Sequence, residues 1–167
     1  MAKDTTAPYA PRLQPRGTWV DDPEVTMRTS KGVVVLELSP NEAPQTVANF
    51  LAYVNGGFYN KLLFHRVVPG FVVQGGGYQS GPSEKDTWYR PVPLESKNGL
   101  SNLRGTIAMA RTDAPNSATS QFYVNLVNNS FLDYTNSANP GYAVFGKVKS
   151  GLKVIDAIAR VPTDADD

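Results

Sequence analysis

Along Phe64-His65-Arg66-Val67-Val68-Pro69-Gly70-Phe71-Val72-Val73-Gln74-Gly75-Gly76-Gly77, an apolar strand delivers one arginine, a Pro-Gly turn follows, and then come a phenylalanine, a glutamine and three glycines. These residue types describe an apolar floor with one cationic fork and one amide standing over it. A guanidinium offers its N–H donors in a rigid planar fork. Alone, Arg66 reads equally as an exposed strand arginine or half of a structural ion pair. Gln74, and Gln121 on a second apolar stretch, are neutral donor-acceptors that hold a peptide carbonyl or amide without placing a charge in an apolar site. A buried glutamine satisfying local backbone is the plain alternative for either. The chain has no cysteine and presents no serine beside a base, so a hydrolase lacks its nucleophile–base pair. His65 is the only histidine and invites a general-base role, but a buried histidine bonded to its neighbours is the better reading. Gly75-Gly76-Gly77 matches neither the P-loop nor the dinucleotide spacing, which leaves close packing or positive φ as its use. Asp164, Asp166 and Asp167 read as a solvated acidic end, since no further metal ligands cluster nearby.

Composition narrows the classes. At 167 residues the chain is most simply one domain, and a domain of that size buries roughly 70% of its unfolded surface without staples. A net charge of +1 gives no argument for nucleic acid or an anionic membrane. No apolar run approaches the ~20 residues of a membrane span. The start, Met1 to Thr6, lacks the apolar core of a signal peptide.

The elements that must carry these side chains follow from periodicity. Residues 1–23 hold Pro8, Pro11, Pro15 and Pro23 and read as a largely irregular arm beside a body spanning residues 24–167; Tyr9, Leu13 and Trp19 are candidates to pin parts of it, and a loose tail is the equal alternative. Val25 to Thr29 and Val33 to Leu38 form a hairpin around Ser30-Lys31-Gly32. Pro44 opens a helix with Val47, Phe50, Leu51 and Val54 on one face, closed by Asn55-Gly56-Gly57. Further strands are expected at Leu62 to Val68, Phe71 to Gln74, Thr106 to Ala110, Gln121 to Val127 and Tyr142 to Val148. A second helix follows Gly151, and Tyr78 to Ser101 is a long loop. Strands at intervals with only two helices point to a mainly β fold, a closed β-barrel capped by helices.

The Arg66 segment, together with Met109-Ala110-Arg111 and Ser120-Gln121-Phe122-Tyr123, resembles the cyclophilins, a family of peptidyl-prolyl cis/trans isomerases, from about Val25 to about Thr163. The resemblance implies an antiparallel barrel of about eight strands with two α-helices. It implies that Arg66, Phe71 and Gln74 are catalytic. Val72, Ala110, Arg111, Gln121, Tyr123, Phe131, Leu132 and Tyr142 fall on substrate-binding positions, with Phe71, Val72, Tyr123 and Leu132 as the proline pocket and the backbone of Ala110 and Arg111 bonding the peptide. No cofactor or metal is implied. The expected partners are proline-containing unfolded or flexible protein segments, bound by a monomer. A periplasmic address is expected by likeness to exported Gram-negative members, with the cytoplasm as the alternative.

Several positions depart from the common pattern. Val72 stands where methionine is frequent. Tyr123 stands where phenylalanine is usual, so a hydroxyl near the pocket floor must find a partner. Phe131 replaces a tryptophan whose N–H is a donor to cyclosporin, so weak cyclosporin binding is expected. Arg111 and Tyr142 look bacterial. Members of this pattern usually continue into a final strand beside the first; this sequence reaches Asp167 without it, placing Val33 to Leu36 near an open edge. Three accounts compete: the arm around Thr18 to Val20 substitutes, another chain does, or the barrel is open. The first is favoured because the arm is longer than a usual start. A non-catalytic peptide-binding module on the same scaffold is the alternative function.

Overall fold

The short strands alternate, and the alternation decides which side chains can meet. The computed structural model describes residues 7–11 and 21–163. The strands are β1 (Glu24–Thr29), β2 (Gly32–Leu38), β3 (Leu62–Leu63), β4 (Arg66–Val68), β5 (Val72–Gly75), β6 (Tyr78–Gln79), β7 (Ser83–Glu84), β8 (Thr106–Met109), β9 (Phe122–Asn125) and β10 (Val144–Ser150). Helix α1 (Pro44–Asn55) follows β2, a 3-10 turn spans Ser130–Leu132, and α2 (Leu152–Ala159) follows β10. Seven strands form one antiparallel sheet in the order β1-β2-β10-β8-β9-β5-β4, and β3-β6-β7 make a small second sheet.

Successive residues of a strand point to opposite faces, and here both faces are used. Val67, Val73, Ile107 and Val124 enter the main core with Phe50 and Phe145. Their strand neighbours Val72, Ala108 and Tyr123 join Val144 in a second apolar cluster on the other face. The first face is the inside of the curl, closed by α1 and α2. The second is the platform for the site.

Helix α1 begins as the sequence reading has it, with Pro44 in its first turn and no acidic residue of its own there. The missing cap comes from far along the chain: Glu95 Oε1 accepts from Thr46 N and Thr46 Oγ1, each at 2.7 Å. A carboxylate at a helix N-terminus satisfies orphan N–H groups and complements the dipole. The long loop is thereby tied to α1, and it contains the two short strands β6 and β7. Residues 7–11 also lie on it: Arg90 N donates to the Pro8 carbonyl at 2.9 Å, and its guanidinium sits 5.0 Å from the Tyr9 ring.

Three expectations change. Leu62 to Val68 is not one strand; it breaks after Leu63, so that β3 pairs with β6 while β4 pairs with β5. β2 is paired on both sides, so among the described residues the free edge is β1 rather than Val33 to Leu36. Among the described residues the sheet also curls without closing. Between β1 and β4 lies a groove of ≈ 1020 Å³ lined by Val25, Met27, Leu62, Phe64, Val67 and Ile158. Among the described residues no strand bridges that gap. Thr18 to Val20, the expected substitute, lie outside the described residues, as do Leu13 and Trp19.

Arg104 fastens α2 to the body. Its Nη1 and Nη2 meet Asp156 Oδ1 and Oδ2 at 3.0 and 2.8 Å, and Nη1 also donates to the Leu126 carbonyl at 2.8 Å. The guanidinium holds the Asp156 carboxyl below the ordinary 3.8. A carboxylate with a depressed folded pKa contributes stability above its unfolded pKa and loses it as pH falls through the folded value. The pair is partly exposed, so its worth is about 0.5–1 kcal/mol. Urea midpoints should therefore separate wild type from Asp156→Asn at pH 7, with the gap narrowing below the ordinary 3.8 and closing only as pH falls through the depressed folded value. A gap that persists undiminished in acid would refute this assignment.

Candidate active site

The site is a row across the outer face of the sheet. Arg66 on β4 is opposite Gln74 on β5, and Gln74 is opposite Tyr123 on β9. Tyr123 is opposite Ala108 on β8, and Ala108 opposite Val144 on β10. Directly paired residues of antiparallel strands share a face, so this register alone brings arginine, glutamine and tyrosine together on one platform.

The polar end is a relay. Arg66 Nη1 stands 3.5 Å from Gln74 Oε1, a long contact, and Gln74 Nε2 donates to Gln121 Oε1 at 3.0 Å. Gln74 thus spends its donor on Gln121 and turns its oxygen toward Arg66. Arg66 is exposed, and among the described residues no carboxylate forms an ion pair with it. Its guanidinium is placed by the sheet and remains open to a ligand.

The glycines make room for this relay. A Cβ on Gly77 would lie 2.5 Å from Gln121 Cγ, so the Gln121 side chain lies across bare backbone. Gly76 has φ +89, and a Cβ there would sit 2.9 Å from the Ser120 carbonyl and the Phe122 ring. Close approach and positive φ are both at work, as the spacing suggested.

The apolar end is a cup. Val72, Ala108, Tyr123 and Val144 are its buried base, with Phe71, Leu100, Ala110, Leu132 and Tyr142 packed around them. Phe131 is 74% exposed and stacks on Phe71, centroids 5.9 Å apart at 14°. Tyr142 meets Tyr123 edge-on at 5.9 Å. Arg111 holds Tyr142 in place: its guanidinium lies 4.5 Å from that ring and donates to the Gly141 carbonyl at 3.1 Å from Nε and 2.8 Å from Nη2. The Arg111 side chain therefore builds the wall. The Ala110 N–H is donated to the Gln121 carbonyl at 3.0 Å, so that amide is not offered to a peptide.

The Tyr123 hydroxyl finds the partner that burial demands, donating to Asn102 Oδ1 at 2.7 Å. Burial pushes its pKa far up, so it stays a neutral donor. Sequence reasoning missed Asn102, Asn125, Asn129 and Asp133, which lie under the cup, and also Leu100 in its rim. The one available signal was asparagine at 125 inside an apolar strand. His65 is half-buried with its ring 4.3 Å from Tyr78, off the row.

Comparison with known proteins adds the following. Residues 24–167 match the family model described as cyclophilin type peptidyl-prolyl cis-trans isomerase/CLD. Over 140 residues the chain is 53% identical to peptidyl-prolyl cis-trans isomerase A of Dickeya dadantii, covering 84% of this chain and 73% of that protein. It is 48% identical over 141 residues to peptidyl-prolyl cis-trans isomerase B of Escherichia coli, covering 83% and 85%. Among solved structures, a Cryptosporidium parvum cyclophilin type isomerase crystallised in the presence of the dipeptide Ala-Pro superposes with TM-score 0.73 at 27% identity, covering 86% of this chain and 89% of that one.

Proposed function

The chain belongs to the cyclophilin-type peptidyl-prolyl cis-trans isomerases, and from that premise we propose that Arg66 supplies the decisive transition-state contact for rotation about X-Pro bonds. The observation that carries the proposal is the open Arg66 fork, set in register with Gln74 beside an apolar cup.

The barrier to amide rotation, ~18–20 kcal/mol, comes from resonance in the C–N bond. Lowering it needs no nucleophile, metal or proton transfer. The cup of Phe71, Val72, Tyr123 and Leu132 suits a proline ring, which has no N–H to satisfy. Gln121 accepts from Gln74 at its Oε1, which leaves its own N–H groups to hold a neighbouring carbonyl. As the amide twists, its nitrogen regains a lone pair. An N–H of Arg66 aimed there binds the twisted state better than the planar one, the condition for catalysis. The substrates are proline-containing segments of unfolded or flexible proteins.

Exchange NMR on a short Ala-Pro-Phe peptide tests this: cis and trans signals should broaden and merge with catalytic amounts of wild-type protein. Peptide bound without faster exchange would favour the non-catalytic module instead. The Tyr123 hydroxyl and the missing final strand motivate that alternative; the hydroxyl is satisfied by Asn102.

The lip residue Phe131 has no N–H to donate. Cyclosporin is therefore expected to bind weakly, with Phe131→Trp tightening it about tenfold, the worth of one hydrogen bond. Calorimetric titration reads both. Nanomolar binding by the wild type would overturn the expectation.

A further inference from the structure

Beneath the cup lies a polar network that amide rotation itself does not use. Asn102, Asn125 and Asn129 are 0%, 0% and 3% exposed. A buried amide left unpaired costs about 1–3 kcal/mol, so three together demand a closed set of bonds, and Asn102 is its hub. Its Oδ1 accepts from the Tyr123 hydroxyl at 2.7 Å and from Asn125 Nδ2 at 3.1 Å. Its backbone N and Nδ2 donate to Asp133 Oδ1 at 2.7 and 2.9 Å. Its carbonyl accepts from Asn129 N at 2.7 Å. Asn129 Nδ2 passes the connection on, to Asn125 Oδ1 at 2.9 Å and to the Phe71 carbonyl at 3.1 Å. The Ser101 hydroxyl bonds the second Asp133 oxygen.

Asn125 Nδ2 also anchors this network to Thr106 Oγ1 at 3.0 Å, at the start of β8, while three other arms end on parts of the cup. Tyr123 is its base. Asp133 follows Leu132 and Phe131, the far wall and the lip. The Phe71 carbonyl belongs to the near wall and leads into Val72. These parts come from separate stretches of chain, and apolar contact between them is non-directional. The bonds through Asn102 give the arrangement one geometry, because hydrogen bonds fix direction as well as distance. Asn102 itself is fully buried below the surface a ligand would touch.

We propose that Asn102 is a positioning residue for the isomerisation: acting through the Tyr123 hydroxyl and Asp133, it holds the base, near wall and far wall of the proline cup in one shape. The proposal rests on the isomerase reading above. A cup that holds the ring loosely still binds it, but no longer presents the amide squarely to Arg66. The loss therefore falls on kcat more than on KM.

The test is a double-mutant cycle of Asn102→Ala and Tyr123→Phe, with kcat and KM measured by exchange NMR on the Ala-Pro-Phe peptide. Each single variant should lose about tenfold in kcat with KM nearly unchanged, and the double variant should lose little more than the worse single one, since both cut the same connection. Losses that multiply to about a hundredfold, or singles with wild-type kcat, would overturn the proposal. Should Asn102→Ala not fold, Tyr123→Phe decides alone, and wild-type kcat in it counts against the proposal. A second reading is independent of turnover: in the peptide-free protein, the methyl signals of Val72 and Leu132 should shift in both single variants. If the wild type leaves exchange at the buffer rate, the isomerase reading fails, and these methyl shifts still decide the network, stationary signals overturning it.

Discussion

Arg66→Ala should cut kcat/KM for an Ala-Pro-Phe peptide by about 10²–10³, the cost of losing one preorganised donor aimed at developing charge. Peptide affinity should fall by no more than about threefold, because the cup and the Gln74–Gln121 pair survive and an interaction made only in the transition state is missing from KM. The fold should be unaffected. Arg66 is exposed, forms no ion pair among the described residues, and has a single long contact to Gln74 at 3.5 Å. Arg66→Lys separates charge from shape. It keeps the cation but loses the planar fork, so it should recover only a minor part of the rate. Exchange NMR with peptide titration reads all three quantities. A loss under about fivefold in a folded Arg66→Ala protein would remove Arg66 from the mechanism, since the missing donor would then be worth less than 1 kcal/mol.

The residue beside Tyr123 should behave in the opposite way. Phe122 points to the inner face, 5% exposed, with its ring 5.8 Å from Phe50, 5.5 Å from Tyr59 and 6.1 Å from Phe64, all edge-on. Phe122→Ala removes that ring from a close-packed aromatic cluster and should cost about 3–5 kcal/mol. Against a typical total of 5–15 kcal/mol this is severe, and the melting temperature should drop by roughly 6–20 °C. In the cold, where the variant is still folded, kcat/KM should stay within about threefold of wild type, because the Phe122 side chain belongs to the inner core cluster and not to the cup cluster. Calorimetry paired with exchange NMR near 10 °C checks both halves. A folded Phe122→Ala protein without activity would mean that the two faces of β9 are coupled.

Much of this was legible in the chain, and the illegible part has identifiable causes. Arg66, Phe71, Val72 and Gln74 sit close together in one motif, so their shared neighbourhood could be read directly. Their alignment with Tyr123 and Ala108 could not, because register is set by pairing between strands that are distant in sequence. The demand that the Tyr123 hydroxyl have a partner followed from chemistry, but the identity of Asn102 did not. It lies in a stretch that reads as loop, and no periodicity marks a buried loop asparagine. The break within Leu62 to Val68 was hidden because no glycine or proline punctuates it. The closed barrel was an inference from strand count, and strand count does not say whether the two edges of a curled sheet meet.

The order of the sheet also bears on how the molecule is made. β10 is the joint between the β1–β2 hairpin and the strands that carry the site: Gly146 pairs with Leu38 on one side and Ile107 on the other. A ribosome that has released residues up to 143 has delivered both halves but not the strand that joins them. Until β10 emerges, the hairpin has nothing to dock on, and Val34 and Leu36, wholly buried in the finished molecule, face solvent. Joining contacts of such long range pay their loop-closure entropy before any reward. That places the refolding of this sheet toward the millisecond-to-second regime of non-local β topologies rather than the microsecond regime of helical bundles. A cyclophilin-type isomerase is thus itself committed to a late assembly step, during which its unpaired strands are open to aggregation.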